Sequence, residues 1–135
     1  MANASDFLEN QIIAHVFRTG SFTKPAGLWI ALFTVAPNDA GGGTEVVAGG
    51  YARVARAPLD ANWTAPTGGN GQTANVAAID FGTASANWGT ITHFGIFDAL
   101  TAGNLIAWGA LTASRTVNSG DAFQIPAGQL TITVA

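Results

Sequence analysis

The chain has 135 residues, of which 48% are hydrophobic and only 10% charged, with 5 basic and 8 acidic side chains and a net charge of −3. Roughly 25% charge is ordinary for a soluble domain, so the surface is either polar without charge or covered by other chains. The length suits one domain with a real core and excludes a disordered, highly charged tail.

Residues 4–19 read as a helix. Asn3 or Ser5 is placed to cap it, and Asp6 and Glu9 suit its positive end. Leu8, Ile12 and Val16 recur every four residues, as do Ile13 and Phe17, and Gly20 stands where a C-terminal stop is expected. A helix this short is marginal alone in water, so its stripe needs a partner in its own domain or in a neighbouring subunit.

From Leu28 to Thr34 the chain is apolar on both alternations, the pattern of a strand covered on both sides. Ala36–Gly43 is a loop on several turn signals. Tyr51–Ala57 alternates and puts Arg53 and Arg56 on opposite faces, which fits an edge strand. Asp60–Thr73 is a loop rich in Gly, Asn, Thr and Pro that either covers Trp63 or presents it. Further strands are predicted at Ala74–Phe81, Thr90–Asp98, Asn104–Thr112, Ala122–Ile125 and Leu130–Val134, with a short hairpin connection at Leu100–Gly103. Seven or eight short strands with no helix between them exclude a parallel α/β sheet. The expected fold is mainly β: one domain over 1–135, an antiparallel β-sandwich, jelly-roll or Ig-like, with strands from about 28 to 134 and one N-terminal helix.

Candidate chemistry is sparse. With no cysteine there is no disulfide framework, thiolate metal site or Cys nucleophile. The cations Arg18, Lys24, Arg53, Arg56 and Arg115 are scattered, which gives no stripe for nucleic acid. No apolar run approaches the ~20 residues of a membrane-spanning helix, and MANASDFLEN has neither the basic nor the apolar region of a secretory signal. His15 and His93 lack metal-ligand spacing, and each reads as a structural or interface histidine. The aspartates mostly flank turns, and no serine lies in Gly-x-Ser-x-Gly. No catalytic residue, metal or cofactor is expected. Trp29 and Trp108 sit in apolar strands and read as core, whereas Trp63 and Trp88 lie beside loop residues and are the better contact candidates.

Several segments carry a resemblance as an ordered set: Leu28-Trp29-Ile30-Ala31-Leu32-Phe33-Thr34 followed by Ala36-Pro37, Gly42-Gly43-Thr44-Glu45-Val46, Gly49-Gly50-Tyr51-Ala52-Arg53, Trp88–Ala99, Gly103–Gly109, Val117–Asp121 and Ile125–Leu130. Together they resemble small structural proteins of tailed-bacteriophage virions, of the tail-fibre-labelled or capsid-decoration type. The resemblance covers nearly the whole chain and brings no catalytic motif. It implies a non-enzymatic virion component, assembled in the host cytoplasm. Its partners would be itself, as a trimer, and other virion proteins such as the major capsid protein or tail proteins, with no nucleic acid or membrane.

A compact domain with an amphipathic terminal helix, and without fibre-shaft repeats or heptads, is expected to be a capsid decoration (cement) protein stabilising the head. A tail or tail-fibre module is the alternative. A glycan- or receptor-binding module using exposed tryptophans is the alternative of another class. The expected interface residues are Phe7, Ile12, Val16, Arg53, Arg56, Trp63 and Trp88.

Overall fold

A computed structural model describes residues 2–134. Among them are ten strands and one helix: β1 (Ala2–Ala4), α1 (Asp6–Phe17), β2 (Trp29–Val35), β3 (Thr44–Glu45), β4 (Val54–Ala55), β5 (Gln72–Ala74), β6 (Ile79–Thr83), β7 (Gly89–Phe97), β8 (Leu105–Val117), β9 (Ala122–Ile125) and β10 (Thr131–Thr133). Eight strands form one sheet in the order β3-β2-β7-β8-β1-β10-β5, with β4 also paired to β2, and β6 and β9 form a second, two-stranded sheet. The arrangement is mainly β and sandwich-like, as expected, with layers of very unequal width.

The core lies between the layers. In the antiparallel register of β2 and β7, Ile30 stands opposite Ile96 and Leu32 opposite Phe94, so all four project from one face, and all four are buried. The small sheet closes over them. Ile79, Phe81, Phe123 and Ile125 alternate with the exposed Asp80 and Gln124, a period of two with one face dry and the other wet. β2 is buried at every position from Ile30 to Phe33, which bears out a strand covered on both sides. On its second face Phe33 stacks on Phe97 with ring centres 6.2 Å apart. Gly95 makes room for that pair, since a Cβ there would lie 2.9 Å from the Phe33 ring and 3.2 Å from that of Phe97.

Several strands depart from the expectation. β1 precedes the helix, pairs antiparallel with β8 and parallel with β10, and so enters the middle of the large sheet where only helix was expected. Tyr51–Ala57 keeps just Val54–Ala55 as strand, and before it the side chains of Tyr51 and Arg53 both reach Glu45 on β3. Part of the predicted Asp60–Thr73 loop and of the following strand becomes β5, which pairs with β10, and the rest of that strand starts only at Ile79.

Candidate assembly interface

The helix starts at Ser5, whose backbone N–H donates to Ile106 O and whose hydroxyl donates to Leu105 O while accepting from Leu8 N at 3.3 Å. Ser5 is fully buried, so the cap also ties the first turn to β8. Asp6 N–H donates to Asp39 O at 3.0 Å, which fixes the angle at which the helix leaves the sheet. Phe7 and Leu8 pack against the core, and Ile12 is half-buried. Beyond them the stripe has no cover. Ile13 is 50% exposed, Val16 62% and Phe17 74%, and no residue of α1 is fully buried.

The helix ends without the glycine stop expected at Gly20. Arg18 takes an extended conformation (φ −127°) and the chain turns back alongside the helix. Phe22 N–H donates to His15 Nδ1 at 3.1 Å, and the Phe22 ring stands edge-on to Phe7 at 6.3 Å. A Cβ at Gly20 would lie 3.0 Å from that of Ala14, so glycine serves here as a close approach between the helix and the strap that follows it, residues 18–24. Helix and strap form one unit, anchored at its root by Phe7, Leu8 and Ser5, with its apolar outer face bare.

The charges follow the same division. Arg53 donates to both carboxylate oxygens of Glu45 (2.8 and 2.9 Å) and to Ala99 O and Ala102 O. Arg56 donates to Ala55 O and Ala78 O, and Arg115 to Ala122 O. Arg53 and Arg56, expected at an interface, thus both hydrogen-bond their own chain. Among the described residues the two cations that make no such bond, Arg18 and Lys24, both lie on the strap. Of the carboxylates, Asp39, Glu45, Asp80, Asp98 and Asp121 accept hydrogen bonds from neighbours in the fold. The side chains of Asp6, Glu9 and Asp60 do not, and the first two sit in the exposed first turn of α1.

The tryptophans sort differently from the expectation. Trp88 is buried in the core, edge-on to Tyr51 at 5.7 Å, with its Nε1 donating to Gly49 O at 3.0 Å; this corrects its placement as a loop-borne contact residue. The indole is drawn in because Gly49, at φ +68°, lies so close that a Cβ would meet Trp88 at 2.8 Å. Trp63 is half-buried. Its Nε1 donates to Ala57 O at 3.2 Å, and it lines an apolar groove of about 560 Å³ with Leu8, Leu28, Leu59 and Ile132. Trp29 and Trp108, expected in the core, are each only half-buried, and Trp108 Nε1 donates to Asp39 Oδ1 at 2.7 Å.

Of the expected interface residues, then, Phe7, Ile12 and Val16 share one helix, and the structure adds Ile13 and Phe17 to them. The i, i+4 stripe carried the signal for both. What it lacked was the knowledge that the domain's own core stops at Leu8.

A family model described as "Podophage GP4 fiber I protein gp80" matches residues 3–133. No curated protein matches the chain.

Proposed function

Because the chain belongs to the podophage GP4 fiber I protein gp80 family of tailed-phage fibre-type structural proteins, we propose that it is a non-enzymatic building block of a virion fibre, held in place by the outer face of α1. The carrying observation is the helix whose apolar residues Ile13, Val16 and Phe17 remain exposed while its root is locked to the sheet. A bare apolar stripe on a helix whose root is packed against the sheet marks a surface completed by another subunit. The side chains that elsewhere do acid–base chemistry here support the non-enzymatic reading, since most carboxylates bond their own turns and sheet edges. The family's fibre description favours the fibre over a capsid-decoration role.

Immunogold labelling of virions tests the placement. Label at the tail is the expected result, and label spread over the head would return the chain to decoration. A Val16→Asp variant, which changes an exposed side chain, is expected to fold yet to be missing from particles.

A further inference from the structure

We propose that Asn70 is a site of self-modification: in the folded chain its side-chain amide closes onto the backbone nitrogen of Gly71 and then opens to aspartate and isoaspartate. This chemistry is independent of how the chain assembles. Asn70 and Gly71 are both exposed, in the Gly68-Gly69-Asn70-Gly71 stretch that leads into β5. Asn70 Oδ1 accepts from Gln72 N at 3.0 Å, a turn that folds the side chain back over the Gly71 peptide. Among the described residues Gly71 N–H has no acceptor, and Asn70 Nδ2 donates to nothing. The attacking nitrogen and the leaving group are therefore both free.

Hydroxide removes the Gly71 amide proton, and the nitrogen attacks Asn70 Cγ. The new N–Cγ bond closes a five-membered imide as the Cγ–Nδ2 bond breaks, and ammonia leaves with a proton from water. A second water then opens the ring. Attack at Cγ breaks the new bond and gives aspartate. Attack at the main-chain carbonyl breaks the original peptide bond and gives isoaspartate, with the chain now running through Cγ. Negative charge develops on Oδ1 as the ring closes, and Gln72 N–H already points at that atom. Glycine leaves the attacking nitrogen uncrowded, and the fold keeps glycine there: φ is +62°, and a Cβ would lie 2.6 Å from Val134 O. Two other asparagines each lack one of these parts. Asn38 Oδ1 makes the same bond, accepting from Ala40 N at 2.9 Å, but the bulkier Asp39 follows it. Asn118 precedes the small Ser119, but Ser119 N–H is held by Asn87 Oδ1 at 2.9 Å. Isoaspartate at 70 inserts one backbone atom beside Gly71, whose carbonyl accepts from Val134 N at 2.9 Å, and just before Gln72, which pairs with Thr133. The β5–β10 edge of the large sheet loosens as a result.

Ageing the purified full chain in mildly alkaline buffer, followed by peptide mapping with mass spectrometry and by enzymatic methylation of isoaspartate, tests this. Conversion is expected at Asn70, rising with pH and at least about tenfold faster than at Asn38 or Asn118. Asn70→Ser should abolish the isoaspartate signal. The native chain should convert at least as fast as the same chain unfolded in guanidinium chloride, because the Gln72 donor is in place only in the fold. Conversion at Asn38 or Asn118 ahead of Asn70, an isoaspartate signal that survives Asn70→Ser, or a native rate below the unfolded one overturns the proposal. The isoaspartyl fraction, separated by its added negative charge on ion exchange, should unfold at lower guanidinium chloride than Asn70→Ser aged alike. Equal midpoints would overturn the loosening of the β5–β10 edge.

Discussion

Arg53 and Glu45 make a two-pronged pair, Nη2 to Oε1 at 2.8 Å and Nε to Oε2 at 2.9 Å, and the same guanidinium lies 3.8 Å from the centre of the Phe97 ring. Its remaining nitrogen holds Ala99 O and Ala102 O. One side chain therefore ties β3, the β7–β8 turn and the second face of the sheet together. Replacing it with Ala leaves the partly buried Glu45 carboxylate with only the Tyr51 hydroxyl and removes the guanidinium from two carbonyls, and should cost about 2–4 kcal/mol in urea melts. Arg53→Lys should recover little of that, because an ammonium cannot fork or stack.

Trp88 should behave as a core residue. Trp88→Ala is expected to cost about 3–5 kcal/mol. It also leaves Gly49 O with one donor, Ser85 N, in place of two. Trp63→Ala, at a half-buried site, should cost clearly less. Equilibrium unfolding of the two variants side by side reverses the expectation if the order is inverted.

Ser5→Ala removes the helix cap and the hydroxyl bond to Leu105 O together. A loss of about 1–2 kcal/mol is expected, with helical circular dichroism falling before the β signal as temperature rises. Loss of both signals in a single step would show that the helix is held by packing alone.

Tyr51 is the chain's single tyrosine, so its ionisation can be followed cleanly by ultraviolet absorbance. Burial pushes its phenol far above the ordinary range, and the hydrogen bond it donates to Glu45 at 2.7 Å adds to that, while the Leu32 N–H it accepts pulls the other way. The folded state thus keeps a proton that the unfolded chain gives up at about pH 10. The resulting stability is complete below that pH and falls as pH rises beyond it. Phenolate absorbance should appear only together with alkaline unfolding; titration of the native protein near pH 10 would contradict the burial.

Ala102 has φ +53° and is followed by Gly103 at +78°, two consecutive left-handed residues in the β7–β8 connection. Alanine is costly there, whereas Asn or Gly is favoured. Ala102→Asn should stabilise by about 0.5–1 kcal/mol, visible as a higher melting temperature.

Where a signal was local, it was legible. The 3.6 period of Leu8, Ile12 and Val16 is set by neighbouring residues, and the helix stands within two residues of its predicted ends. The alternation of Ala122–Ile125 and the apolar run after Leu28 gave strands where expected. The family resemblance also held, as a tailed-phage structural protein. The burial of Trp88 and the partners of Arg53 were not legible, for the opposite reason. A loop-like neighbourhood says nothing about Gly49 drawing the indole inward from 39 positions away, nor about Glu45 and the Ala99–Ala102 turn converging on one guanidinium.

The sequence by itself determined that this is a β-rich chain with one capped helix and little charge, because composition and periodicity need only nearest neighbours in the chain. Only the tertiary structure decided which side of that helix is left bare. Burial depends on pairings across the whole chain. Ala2–Ala4 reaches the middle of the large sheet by pairing with strands more than a hundred residues away, and in doing so aims the helix beyond the sheet, where Ile13, Val16 and Phe17 meet no part of their own domain's core.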